Sequence, residues 1–476
     1  MSDPGHVHFI AIGGTGMGSL AGLLQSRGIR VTGSDEELYP PMSTELESRG
    51  IPVSRGFRPE NLVGPSGERP DWVIVGNAVR SDNPEARAAL EGNFVIRSFP
   101  DALYELALSR KHPVVVSGTH GKTTTTSLVA ALLERCGRDP SVLVGGVSLD
   151  IGGSTREGAG DHFVVEGDEY DTAFFDKTPK FLHYHPRTLV ITSIEFDHAD
   201  IYRDLAHVRS AFESLVEGLS PEAVIIACVD DPNVRDVVDG ASCRVVRYGT
   251  AKAPGVDWQA RDLRATPGGT HFELEGPGGR EAVHVPLHGD FNVANAVAAL
   301  ATVVELGVPR SEAIEALACF RGVRRRQELR YEVAGIAVID DFAHHPTAVR
   351  GSIAALRSRF PGRRIVAVFE PRTNTSRRRV FQSAYAKALS GADEVLIQRV
   401  EATPIYSATG EVTEFFSADE LVSTLEREGC RASAHDSVES IVDQLTHAGQ
   451  AGDVVLIMSN GAFGNIWGKL REVLDK

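Results

Sequence analysis

"VVVSGTHGKTTTTSLVAALLERC" runs from Val114 to Cys136. A β-branched apolar run meets a glycine; a second glycine, a lysine and four threonines follow, and then a helical pattern. That order predicts a strand, a phosphate-holding turn and a helix. Glycines at 118 and 121 let backbone N–H groups converge on phosphate oxygens, and the helix N-terminus adds the positive end of its dipole. In the loop Gly118-Thr119-His120-Gly121-Lys122-Thr123-Thr124, Lys122 is suited to neutralise β- and γ-phosphate charge. The Thr123 hydroxyl is suited to ligate Mg²⁺. The loop is about two residues shorter than the GxxxxGK[ST] pattern, which argues against a generic nucleotide hydrolase. A purely structural strand-to-helix turn is the bland alternative.

Outward from this loop, strand-like runs alternate with helical patterns, which predicts parallel α/β layers. On the N-terminal side, "VHFIAI" leads into the glycine turn "GGTGMG" (Gly13–Gly18), and Asp35 follows the next strand. The turn departs from G-x-G-x-x-G, because Ser19 stands at the sixth position counted from Gly14. It therefore supports a phosphate-bearing ligand without specifying NAD. On the C-terminal side, "EGDEYD" (Glu166–Asp171) and "EFDHAD" (Glu195–Asp200) put carboxylates and an imidazole at strand ends. There they suit Mg²⁺ bound to a nucleotide; solvated acidic loops are the alternative. Residues 251–285 read as a small antiparallel excursion. A helix from about Phe291 carries Asn292 and Asn295 on one face, either for a base edge or for capping. Beyond it lie "GVRRRQELR" (Gly322–Arg330), "DDFAHHP" (Asp340–Pro346) and "EPRTNTSRRR" (Glu370–Arg379). The four arginines of the last stretch make a pocket for substrate carboxylates, unless they are plain surface charge.

Composition narrows the classes. The chain has 476 residues, 42% hydrophobic and 24% charged, with a net charge of −15. That length predicts about three domains, and the acidic surface disfavours nucleic acid. No run of about 18 apolar residues is present and the N-terminus has no secretory pattern, so no membrane insertion is expected. Five scattered cysteines fit buried thiols of a reducing cytoplasm.

Taken together, "VHFIAIGGTGMGSLA", "GSD", "SGTHGKTTTT", "EGDEYD", "DHAD", "FNVANA", "RRRQEL" and "DDFAHHPT" resemble the Mur ligases, ATP-dependent amide ligases of bacterial cell-wall synthesis. The resemblance covers nearly the whole chain. It implies three α/β domains: a Rossmann-like N-terminal UDP-sugar domain (1–110), a central P-loop ATPase-type domain (111–322) and a Rossmann-like C-terminal domain (323–476). Gly13, Thr15, Gly16, Met17, Gly18, Asp35 and Asn77 are then expected at the UDP-sugar. Gly118, Thr119, His120, Gly121, Lys122, Thr123 and Thr124 are expected at the ATP phosphates, and Asn292 and Asn295 at adenine. Arg326 and Asp341 are expected to close on ATP, with His344 and His345 near the same cleft. Thr123, Glu166 and His198 are implied as Mg²⁺ ligands, with Lys122, Glu166 and His198 catalytic. Within the family, "GNAVRSDNP", "EYDTAFFDKTPKFLHYHPR" and "FEPRTNT" resemble the members that attach the tripeptide L-Ala-γ-D-Glu-meso-diaminopimelate to UDP-N-acetylmuramate. Arg372 and Asn374 are the implied peptide contacts, and the L-alanine-adding members are the alternative. A cytoplasmic monomer or weak homo-oligomer is expected. A dehydrogenase or simple nucleotide-binding module built on the Gly13–Gly18 turn leaves Lys122, Glu166 and His198 unexplained together. Two positions depart from many relatives: Glu213 stands where a carbamylated lysine is common, and Phe291 where His is common.

Overall fold

A computed structural model describes residues 3–39, 42–64, 67–251, 255–400, 410 and 412–475. Three sheets follow one another along the chain, consistent with the α/β expectation. The first is wholly parallel, in the spatial order Val53–Arg55, Arg30–Asp35, His6–Ile10, Trp72–Val75, Val95–Ser98. This is the doubly wound order lacking only its sixth strand, and its switch point lies between His6–Ile10 and Trp72–Val75. The glycine turn follows that strand, and the helix Thr15–Ser26 follows the turn.

The second sheet has ten strands. The strand His112–Ser117 pairs in parallel with Thr188–Ile191 on one side and His162–Gly167 on the other. The phosphate-loop strand is thus flanked by the strands that lead into the two acidic clusters. Both faces of this strand are covered, which explains its unbroken valine run. The antiparallel excursion is the meander Trp258–Thr266, Gly269–Gly276, Gly279–Val285; it joins the parallel sheet by pairing Tyr248 with Trp258. The helix Lys122–Arg135 opens with four β-branched threonines, a poor intrinsic choice. Packing overrides propensity here: Thr123 through Leu133 are all buried, largely within the core shared with the helix Asp290–Glu305.

The third sheet has the order Glu328–Val333, Ile336–Asp341, Val454–Met458, Ile365–Phe369, Glu394–Gln398, Arg431–His435. Only its first pair is antiparallel. Between the second and third sheets the chain is stitched to the strand Ser141–Ser148, last but one in the second sheet. Leu149 N–H donates to the Gly322 carbonyl at 3.0 Å, Ser148 bridges Val323, and Arg324 N–H donates to the Val147 carbonyl at 2.9 Å. From Arg325 onward the partners change: the Arg325 carbonyl accepts from Phe342 N–H at 2.8 Å, and Gln327 N–H donates to Asp341 Oδ2 at 3.1 Å. Arg325 and Gln327 both have positive φ, 59° and 51°. Among the described residues no helix is long and apolar enough to cross a membrane.

Candidate active site

The phosphate loop is braced from beneath. Thr119 N–H donates to the Ser193 carbonyl at 2.8 Å and His120 N–H to Ser193 Oγ at 3.0 Å. Gly118 has φ +130°, and a Cβ there would lie 2.1 Å from Thr192 Oγ1, so only glycine fits. Gly121 has φ +82° and lies against Asn295, whose Oδ1 a Cβ would meet at 2.5 Å. The helix Lys122–Arg135 has no side-chain N-cap. Its first N–H groups are the orphan donors that suit a phosphate.

The acidic clusters close over the loop. Lys122 Nζ lies 2.5 Å from Glu169 Oε2, and both side chains are almost fully buried. Burial disfavours the Lys122 ammonium, but Glu169 and Asp168 outweigh it and raise its pKa. Thr123 Oγ1 donates to Glu166 Oε1 at 3.1 Å, and the Arg326 guanidinium reaches Thr123 Oγ1 at 3.1 Å from beyond the stitched segment. Glu166 Oε2 accepts from Gly145 N–H at 2.8 Å. Burial pushes the Glu166 carboxyl up despite nearby Lys122. Burial likewise holds Arg326 below the usual guanidinium value, against the pull of Asp341 and Glu166.

His198 stands apart from Thr123 and Glu166. Its Nε2 is 3.3 Å from Glu169 Oε1, and its backbone is left-handed at φ 49°. Asp168, Glu169 and His198 converge as one ligand-like group. Burial opposes the imidazolium, yet Asp197 and Glu169 raise its pKa to about 9. The residues assigned to Mg²⁺ therefore fall into two groups, with Lys122 paired to Glu169 and close to Glu166. Glu213, at the position of the relatives' lysine, belongs to neither: it faces Arg209 at 3.7 Å on its own helix.

The donor set suits a hard cation. Thr123 hydroxyl and Glu166 carboxylate are oxygen ligands already side by side.

The other expected residues are placed as follows. Asn292 and Asn295 are buried; Asn292 Nδ2 donates to the His288 carbonyl at 2.9 Å, and Asn295 Nδ2 to Asn292 Oδ1 at 3.2 Å. This pair orders the helix start and the wall beside Gly121. Asp341 faces inward, accepting from Gln327 N–H, Ala343 N–H and Ser352 Oγ, so it shapes the turn that carries Arg326. His344 Nε2 is 3.8 Å from Asp197 Oδ2, and His345 faces Glu195. In the first sheet, Gly13 N–H donates to Asp35 Oδ2 at 2.7 Å. Gly16 lies under Phe99, Gly18 under Met42. Thr15 begins the helix that buries Met17, and Asn77 lies in the turn after Trp72–Val75. Asn374 Nδ2 donates to Asp200 Oδ2 at 3.3 Å, and Tyr170 OH donates to the same oxygen. Arg372 is exposed and lies along Gly461. Sequence reasoning gave no individual role to Glu169, the partner of Lys122, or to Arg378, whose Nε and Nη2 are buried without partners beside Asp200. The charge of "EGDEYD" was visible, but which carboxylate meets the lysine depends on how the chain leaves the strand.

A short phosphate loop at a parallel strand end, flanked by two acidic strand ends and reached by an arginine from the segment that leads into the third sheet, defines a three-domain phosphate-loop protein. Residues 6–111 match the Mur ligase family catalytic domain, residues 116–303 the Mur ligase middle domain and residues 325–461 the Mur ligase glutamate ligase domain. The chain belongs to the Mur ligase family. It is 39% identical to the UDP-N-acetylmuramate--L-alanyl-gamma-D-glutamyl-meso-2,6-diaminoheptandioate ligase of Escherichia coli (strain K12), across 99% of this chain and 98% of that one. Among solved structures, the murein peptide ligase mpl from Psychrobacter arcticus 273-4 superposes with a TM-score of 0.73 at 32% identity over 98% of each chain. The UDP-N-acetylmuramate-alanine ligase MurC from Thermotoga maritima superposes with a TM-score of 0.78 at 28% identity over 98% of each.

Proposed function

We propose that the chain is an ATP-dependent ligase joining UDP-N-acetylmuramate to L-Ala-γ-D-Glu-meso-diaminopimelate, in cytoplasmic recycling of peptidoglycan. The observation that carries the chemistry is the arginine from the segment that leads into the third sheet meeting the phosphate-loop threonine: Arg326 on Thr123, beside Lys122. The 39% identity to the tripeptide ligase of Escherichia coli supports the substrate. In this reading residues 1–110 hold the UDP-sugar, 111–322 hold ATP and 323–476 hold the peptide and close on ATP, in a monomer or weak homo-oligomer.

The lactoyl carboxylate attacks the γ-phosphate, giving an acyl phosphate and ADP; the peptide α-amine then displaces phosphate to form the amide. Lys122 exchanges Glu169 for phosphate oxygens, and the uncapped N–H groups of its helix hold the others. Thr123 and Glu166 in one group, and His198 in the other, would hold Mg²⁺ ions, which when bound would neutralise phosphate charge. Arg326 adds its charge from the opposite side of the loop, and closure of the third domain shields the acyl phosphate from water. Arg372, Asn374 and the unpaired guanidinium edge of Arg378 supply the donors for peptide carboxylates.

The test is phosphate release with Mg-ATP and UDP-N-acetylmuramate, comparing tripeptide with L-Ala. Release with the tripeptide is expected. Release with L-Ala alone would assign the chain to the alanine-adding members instead.

A further inference from the structure

Glu195, in the loop after the strand Thr188–Ile191, gathers groups from two domains. Its Oε2 lies 3.1 Å from His120 Nε2 of the phosphate loop and 3.5 Å from His345 Nδ1 of the third domain. It also accepts from Thr347 Oγ1 at 2.7 Å. The three ligand-type atoms all lie within 4.8 Å of one another.

The protonation of His345 follows from its other nitrogen. His345 Nε2 is 3.2 Å from the Phe196 carbonyl oxygen, which can only accept, so Nε2 carries the proton. Nδ1 then presents a lone pair to a carboxylate oxygen. Its donor on this side is Thr347 N–H, at 3.3 Å. That N–H contact is long, and a cation held between Nδ1 and Glu195 Oε2 would take the lone pair over from it. An imidazole whose far N–H is tied to a carbonyl, next to a carboxylate held by a hydroxyl, is the outer-shell pattern of metal sites. Burial keeps the His345 imidazole neutral, its pKa near 4. Metal–ligand bonds of about 2.0–2.1 Å in a tetrahedron put ligand atoms roughly 3.3 Å apart, close to the 3.1 and 3.5 Å from Glu195 Oε2 to the two imidazoles. His120 and Glu195 remain partly exposed, leaving room for water as a fourth ligand.

We propose that His120, Glu195 and His345 form a zinc-binding site that ties the phosphate loop to the third domain. Two imidazoles and one carboxylate select Zn²⁺ over Mg²⁺, whereas the oxygen ligands at Thr123 and Glu166 do the reverse. The site stands on its own geometry and does not depend on the ligase reading.

The experiment uses the full-length, chelator-treated, nucleotide-free protein. Zn²⁺ is titrated in competition with a chromophoric chelator, and Co²⁺ is added in parallel as a spectroscopic probe. The expected result is one tight Zn²⁺ equivalent and Co²⁺ absorption of tetrahedral intensity. Both persist in His198→Ala, which removes a ligand from the other cluster. Affinity falls at least about tenfold in His345→Asn, which keeps an N-cap acceptor for the helix Pro346–Arg359. Glu195→Gln keeps the shape of the carboxylate, lowers affinity similarly, and serves if the first variant does not fold. The proposal fails if the wild type takes up no tight metal, if either folded variant binds like the wild type, or if binding disappears only in His198→Ala.

Discussion

Lys122 and Arg326 approach the phosphate loop from different parts of the chain and are not equivalent. Lys122 is held by Glu169 beside the second sheet, whereas Arg326 reaches the loop from the start of the third domain. Lys122→Ala is expected to lower phosphate release by about a thousandfold or more, because charge stabilisation at the γ-phosphate is lost. UDP-N-acetylmuramate binding, measured calorimetrically, is expected to stay near wild type. Arg326→Ala is expected to lower turnover by roughly 10²–10³-fold. It also removes a donor from Thr123, so weaker ATP binding accompanies the loss. Equal loss of sugar binding in both variants would show that the two sites are not separate. At this scale the sequence announces the loop and its cation, because a glycine pair before Lys-Thr is local information. The pairing of Lys122 with Glu169, and the inward turn of Asp341, depend on distant segments and are not legible locally.

At the scale of elements, glycine positions and buried carboxylates decide stability. Gly121→Ala places a side chain at φ +82° and against Asn295 Oδ1. The expected cost is about 1–2 kcal/mol from the backbone alone, with a further penalty from the contact. Combining it with Asn295→Ala should recover only the contact penalty in chemical denaturation; complete recovery would show that the backbone is unstrained. In the first sheet, buried Glu85 accepts from Ser34 Oγ, Arg58 N–H and Asn61 Nδ2, and lies 2.7 Å from His8 Nε2. Glu85→Ala is expected to destabilise the protein by about 3–5 kcal/mol, because every partner is left unpaired in the interior. A thermal melt of the variant within a degree of wild type would refute this. The central strands of all three sheets were legible from their apolar runs. Short flanking strands such as Gly153–Arg156 and Arg431–His435 were not, since one exposed side gives them mixed polarity. The antiparallel excursion was legible from its glycine turns, while its attachment to the parallel sheet was not.

At the scale of the molecule, the first two domains meet through a titratable contact. His183 Nδ1 lies 2.8 Å from Asp101 Oδ1, and its Nε2 faces Thr178 Oγ1 at 2.9 Å and Asp176 Oδ2 at 3.5 Å. The Asp101 bond raises the His183 pKa above 6.5, although burial opposes this. For Asp101, burial acts upward, but the His183 and Ser98 bonds prevail and hold it below 3.8. The histidine contribution is complete below about pH 6.5 and is lost as pH rises through its higher folded value. The aspartate contribution is complete above about pH 4 and is lost as pH falls through its lower folded value. The stability difference between wild type and His183→Gln is therefore expected to peak between about pH 4 and 6.5 and to shrink at alkaline pH. A difference that grows as pH rises above about 6.5 would contradict the assignment.

The stitched segment between the second and third sheets has a mechanical consequence. Through Arg324 the chain is bonded to the strand Ser141–Ser148 of the second sheet; from Arg325 it is bonded to the third sheet. The fulcrum of any swing of the third domain thus falls between these two residues, and Arg326 sits almost on it. A point beside a fulcrum travels a short arc while the far end of the arm sweeps a long one. The arginine that meets Thr123 stays within reach of the loop however wide the cleft gapes, whereas Arg372 and Asn374, out along the arm, come and go. On the proposed ligase reading, nucleotide capture and peptide capture would therefore take place at different degrees of opening of the same arm.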